Sequence, residues 1–234
     1  MSHHHNLLRI VTVARALAEL NNDVVFVGGA VVSLYSQKPH LMDLRVTDDI
    51  VVIIEISNRG KYIILQEKLR FLGFTEDAES NIICRWKVQG IIVDIMPNDA
   101  DILGFSNPWY DEGYRNRIKT SAIDQEIQIF TAPYFIASKL VALNSRLDGD
   151  RLFDWRWSRD FEDIMKIISE VDLFDESTCM SKELRVFIKS AFDSFRKDLN
   201  FLEEAISANL RPPFYTDRDI ELIIDKIILI ADEL

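Results

Sequence analysis

The chain changes texture once, and that change limits its fold more than any single motif does. Up to about residue 131, short apolar runs alternate with helical patterns; from Pro133 onward no run reads as a strand. Apolar residues at helical spacing mark Leu7–Leu20, and "DVVFV" is a short buried strand. After Gly28 and Gly29, "AVVSLY" reads as a short helix and "DIVVIIEI" as a β-branched strand. "GKYIILQEKLRFLGF" is a helix stopped by Gly73, while "NIICRWKV" and "IIVDIMP" are two strands joined by a tight turn at "QG". A further hairpin is expected from "NRIKTSAI" and "EIQIF". Alternation of this kind predicts an α/β domain over residues 1–131, with a mixed sheet flanked by helices.

Residues 132–234 predict an all-helical bundle. "PYFIASKLVALNSR" carries its proline near the first turn, where a helix tolerates it. Ser158 opens a second helix with Glu162 and Asp163 in its first turn, matching the positive end of the dipole. Leu184, Ile188, Ala191, Phe195, Leu199, Leu202 and Ile206 step by three and four along what reads as one long helix, broken by "RPP". Thr216 caps a last helix whose Ile220, Ile223, Ile224, Ile227 and Ile228 form an apolar stripe. No repeat or low-complexity linker separates the halves, so they are expected to pack together.

Composition narrows the function. A formal charge of −11 argues against general coating of DNA or RNA, whose affinity comes from neutralising phosphates. No apolar run approaches the roughly 20 residues that span a bilayer, so no membrane partner is expected. The first segment mixes arginines and a glutamate into its apolar pattern, unlike a secretory signal. Cys84 and Cys179 form no metal or disulfide spacing, which suits a reducing compartment, and a cytoplasmic protein is expected. His3–His5 reads as a tag remnant or a frayed end rather than a metal site.

Three features of the first half point to chemistry. The strand "DVVFV" ends in Gly28 and Gly29 and feeds a helix, so backbone amides can face an anion with no Cβ in the way. Asp49 heads the next strand, with Thr47 just before it. Asp94 interrupts the apolar run "IIVDIMP", and a carboxylate there is costly unless it is paired, metal-bound or facing a cleft.

This order resembles the nucleotidyltransferase superfamily with the polymerase-β-like fold, and most closely the branch of AbiEii-type toxins of type IV toxin–antitoxin systems. "FVGGAVVSLY", "RVTDDIVV", "ICRW", "IIVDIMP", "PYFIASKLVAL" and "RDFEDI" carry the resemblance over about residues 24–165. The resemblance implies an NTP held at Gly28 and Gly29, with Thr47, Lys139, Asp160 and Asp163 near the nucleotide or completing the cleft. Asp49 and Asp94 would be catalytic and would hold Mg²⁺ or Mn²⁺. An NMP would pass to a hydroxyl on an RNA, a protein or a small molecule, and a cognate antitoxin would be a partner. The cleft is expected between the halves, at the Gly28, Asp49 and Asp94 edge.

One position departs from the pattern. Where the family places a second aspartate two residues after the first, this chain has Val51. Alternate strand residues share a face, so Asp49, Val51, Ile53 and Glu55 point together and Asp48 points away. Glu55 lies roughly 20 Å from Asp49 at about 3.3 Å per residue and cannot replace the missing ligand. Asp48 could do so only through a bulge or a late strand start. Three functions follow: a Mg²⁺-dependent nucleotidyltransferase, a degenerate member that binds nucleotide without transferring it, and an interaction module.

"YRNRIKT" and "RLFDWRWSRD" interleave Arg115, Arg117, Lys119, Arg151, Arg156 and Arg159 with aromatic residues. Such a pattern can bind a base or a single RNA strand. In an acid-rich chain the plainer expectation is a solvated edge that balances nearby carboxylates. Trp155 and Trp157 are expected to pack on the bundle.

Overall fold

In the computed structural model, which describes residues 2–104, 107–145 and 154–234, the two textures become two compact units. Unit 1 comprises Met1–Leu34 and Leu44–Phe130, and unit 2 comprises Tyr35–Asp43 and Thr131–Leu234.

Unit 1 is built on one seven-stranded sheet. In chain order it contains α1 (Ser2–Leu17), β1 (Val24–Val27), β2 (Asp49–Ile54), α2 (Arg59–Phe71), β3 (Thr75–Glu76), β4 (Arg85–Val88) and β5 (Ile91–Pro97). α3 (Ala100–Leu103), α4 (Tyr110–Arg115), β6 (Ile118–Ala122) and β7 (Gln125–Ile129) follow. The strand order is β3-β4-β5-β2-β1-β7-β6. β2 runs parallel to β5 and β1 parallel to β7, whereas β1–β2, β4–β5 and β6–β7 are antiparallel. The sheet is therefore mixed, as the alternation predicts.

Local chemistry explains several of these elements. α1 buries Leu7, Ile10, Val11, Ala14 and Leu17, the stripe that its spacing marks, and it takes in His3–His5. The turn between β4 and β5 places both Gln89 (φ 48°) and Gly90 (φ 77°) in the left-handed region, the requirement of a two-residue type I′ hairpin. Apart from Asp49 and Asp94, the central strands β1, β2 and β5 are apolar, and each fully buried Val or Ile contributes about 1.5–3 kcal/mol. The run "AVVSLY", together with Gly29 before it, forms a seven-residue 3₁₀ helix, Gly29–Tyr35.

Among the described residues, unit 2 contains the α-helices α5 (Ala132–Ser145), α6 (Arg159–Glu170), α7 (Lys182–Phe195), α8 (Leu199–Asn209) and α9 (Asp217–Glu233). α6 starts at Ser158 as predicted, with its hydroxyl accepting from Phe161 N–H, but its first-turn acids are Asp160 and Glu162 rather than Glu162 and Asp163. Thr216 and Asp219 form a capping box on α9. Its stripe turns slightly from the expected one, burying Ile220, Ile223, Ile227, Ile230 and Ala231 while Ile224 and Ile228 stay half-buried. The single long helix expected from Leu184 to Ile206 is two helices. Asp198 intervenes, accepting a hydrogen bond from Phe201 N–H at 3.0 Å to start α8, so Leu199 lies at a helix start and is exposed. Trp155 packs as expected, among Phe161, Phe195 and Phe201. Trp157 does not; it is 78% exposed. Among the described residues no helix is long and apolar enough to cross a membrane.

Candidate functional site

The residues singled out in unit 1 converge where the start of β2 meets the end of β1. β2 and β5 pair without interruption from Asp49 beside Ile92 to Ile54 beside Pro97. Val51 therefore stands beside Asp94, and it also stands beside Val27 of β1. On its other side Asp94 faces Arg85 of β4. Neighbouring positions in a sheet share a face, so Arg85, Asp94 and Val51 form one row, and Asp49 lies one step along β2 on the same face.

Arg85 holds this row together. Its Nε donates to Asp94 Oδ1 and its Nη2 to Asp94 Oδ2, both at 2.8 Å, a two-pronged pair. The same Nη2 reaches Asp49 Oδ2 at 3.4 Å. The side chain of Asp94 is 12% exposed and that of Asp49 is 35% exposed. Burial and then the charge of Asp94 push the Asp49 carboxyl above its ordinary range, only partly offset by Arg85. The Arg85 guanidinium is held protonated chiefly by its hydrogen bond to Asp94. Next to it, burial pushes the Cys84 thiol up to about 11, so this cysteine is not a thiolate.

Asp94 is thus close to Asp49, and of the three conditions under which its strand tolerates a carboxylate it meets the first: it is paired. The pairing has a simple cause. Val88 and Ile91 flank the tight turn, and counting outward from them brings Arg85 opposite Asp94. The guanidinium meets the desolvation cost that a metal or a cleft would otherwise have to meet.

The other candidates distribute as follows. Gly28 takes φ +80°, and a Cβ there would lie 3.3 Å from Val51 Cγ2, so glycine is needed for both backbone shape and close approach. Gly29 begins the 3₁₀ helix and is half-buried. Thr47 is buried; its carbonyl accepts from Arg9, its N–H donates to Asn6 Oδ1, and its hydroxyl has no hydrogen-bond partner among the described residues. Asp48 is exposed, precedes β2, and enters no bulge, so the register offers it no place as a substitute ligand. Glu55 lines a separate recess at the far end of β2 with Asn98, Asp99 and Asp111.

Lys139, Asp160 and Asp163 lie in unit 2 and meet one another. Lys139 Nζ contacts Asp160 Oδ1 at 3.0 Å and Asp163 Oδ2 at 2.8 Å. Burial alone would lower the lysine pKa, but Asp163 and Asp160 outweigh it and raise it. The basic residues near aromatics are mostly spoken for by acids. Arg115 pairs with Asp111, Lys119 with Glu126, and Arg156 with Asp154 and Glu204. Arg117 lies over the Tyr114 ring and donates to Gln128 Oε1. Arg159 also has a partner, and Arg151 lies outside the described residues.

A two-ion centre does not fit the residues as arranged. Two-metal phosphoryl transfer needs ions about 3.5–4 Å apart held by shared carboxylates. Both Asp94 oxygens already accept from Arg85, and position 51 offers no oxygen. Among the described residues no group of three or more His, Cys, Asp or Glu side chains gathers closely enough to hold a metal ion.

No protein-family model and no curated protein matches the chain. Among solved structures, the crystal structure of an antigenic nucleotidyltransferase-like protein from Paracoccidioides brasiliensis is similar over 87% of this chain and 94% of that one. The TM-score is 0.50 and the sequences are 18% identical. The chain has a nucleotidyltransferase-like fold. In that fold the acid row on β2 and β5 and the glycine turn after β1 lie on adjacent strands of the sheet. Motif order includes Arg85 within "ICRW" but gives it no role in this nucleotidyltransferase-like sheet, although the register of a two-residue hairpin places it opposite Asp94.

Proposed function

We propose that this chain is a nucleotide-binding member of the nucleotidyltransferase-like fold that holds an NTP near Gly28 and Gly29 without two-ion transfer. The observation that carries this reading is the closure of Arg85 on Asp94 beside Val51. The fold likeness and the glycine turn support the nucleotide, and the engaged carboxylate argues against the transfer step. The competing reading, Mg²⁺-dependent passage of NMP to a hydroxyl acceptor, draws on one observation: Asp49 is held only at 3.4 Å and stays partly open to water. Transfer would require Arg85 to leave Asp94. The AbiEii-type reading, with a cognate antitoxin as partner, rests on the order of the motifs alone.

Titration of the full chain with each NTP, with and without Mg²⁺, tests the proposal when run beside a pyrophosphate-release assay. Binding of at least one NTP without pyrophosphate release is expected. Gly29→Val should abolish that binding in a folded protein. Gly28 is unsuitable for this test, since its positive φ and its proximity to Val51 would disturb the sheet itself. Absence of binding to every NTP would leave the fold as an interaction module, and pyrophosphate release would restore the transferase reading.

A further inference from the structure

The acid pair and its arginine carry a consequence that does not depend on nucleotide. We infer that Arg85 is the resident cation of the Asp49–Asp94 pair, occupying by covalent tether the role that a divalent ion would fill.

The register makes this an arrangement of the backbone rather than of a wandering side chain. Arg85 and Asp94 are direct cross-strand partners, fourth from the turn on either side of Gln89 and Gly90. Their separation is fixed by the hairpin, and Arg85 needs no large movement to meet both Asp94 oxygens. A guanidinium matches a carboxylate in shape and stays protonated across the working pH range. Mg²⁺, by contrast, demands near-octahedral oxygen ligands and gives up its waters reluctantly. Here one flank of Asp94 carries the guanidinium and the other carries the Val51 side chain, which packs against Gly28. Neither flank offers an oxygen.

The charges also explain why Asp49 differs from Asp94. One guanidinium faces two carboxylates, and it gives its two good hydrogen bonds to Asp94. Asp49 receives the longer contact and remains the more exposed of the two. The site is therefore stable without metal, and removing Arg85 should leave a buried, uncompensated charge at Asp94 rather than at Asp49.

Two measurements on the full chain test this. The first is Mn²⁺ titration followed by electron paramagnetic resonance, without nucleotide; the free-ion signal should persist, and the unfolding midpoint should be the same in EDTA and in Mg²⁺. Stoichiometric Mn²⁺ binding that disappears in Asp94→Asn would overturn the inference. The second is a double-mutant cycle. Arg85→Met should lower the folding equilibrium constant by about tenfold or more beyond its effect in an Asp94→Asn background. Equal losses in the two backgrounds would sink the idea. If Arg85→Met does not fold, Arg85→Met/Asp94→Asn, which removes both charges, should fold. Failure of that double variant too would show that Arg85 does something other than balance Asp94. Because neither measurement uses an NTP, failure of nucleotide binding leaves this result standing.

Discussion

Each unit of this molecule contains two aspartates bridged by one basic residue, and the two clusters behave differently. In unit 2, Asp160 and Asp163 come from one turn of α6 and Lys139 from α5, with side chains 7%, 0% and 12% exposed. In unit 1, Asp49 and Asp94 come from parallel neighbouring strands and Arg85 from a third. There Asp49 keeps an open edge and the arginine gives most of itself to one acid. The first cluster is sealed within the helical unit, and the second lies on one face of the sheet near the start of β2. A sealed cluster holds elements together; an open one can still respond to its surroundings.

The largest expected effect breaks the sealed cluster. Lys139→Met removes the ammonium that the wholly buried Asp163 meets at 2.8 Å and should cost about 3–5 kcal/mol, read by urea unfolding. Arg85→Met should cost less, about 1.5–3 kcal/mol, because water can reach the Asp49 side of the row. A larger loss from Arg85→Met than from Lys139→Met would erase the contrast between the clusters.

Val51→Asp sharpens it. A third carboxylate beside one guanidinium should lower stability by about 1–2 kcal/mol in EDTA, and Mn²⁺ should recover part of that loss. Loss without recovery would show that position 51 is core packing and that more than an oxygen ligand is missing there.

The smallest effect is pH-dependent. The folded-state pKa of Asp49 is raised, so its neutral form is favoured by folding. The contribution is present below the ordinary aspartate pKa and is lost as pH rises through the raised value. Asp49→Asn should flatten the unfolding midpoint across that window, a change of no more than about 2 °C. An unchanged pH profile would mean that Asp49 is better solvated than its place in the row suggests.

Much of the fold was legible in the sequence because local signals agreed. Turn residues, capping serines and threonines, and the two apolar periods all marked elements that the structure contains. What was not legible depended on contacts between elements. The Leu184–Ile206 stripe continues through Asp198 in projection, and only the capping geometry shows that the axis breaks there. The resemblance placed Lys139 near the nucleotide, and nothing in the sequence showed that α6 supplies it with two aspartates. Motif order picked out Asp49, Asp94 and the importance of Val51, but motif order lists residues singly. Arg85 needed the hairpin to be closed and its ladder counted.

The chain path between the units has a consequence for dissection. Tyr35–Asp43 belongs to unit 2 although unit 1 residues flank it on both sides. Tyr35 lies 5.2 Å from the Phe135 ring, and the Ser36 hydroxyl donates to Glu170. A cut at residue 130 would strand this segment on the wrong fragment, apart from the ring and the carboxylate that it meets, and would leave the helical fragment without it. No single peptide bond divides this protein into two complete parts. The units are interlaced along the chain, so a truncation designed on the change in texture alone would yield two incomplete pieces.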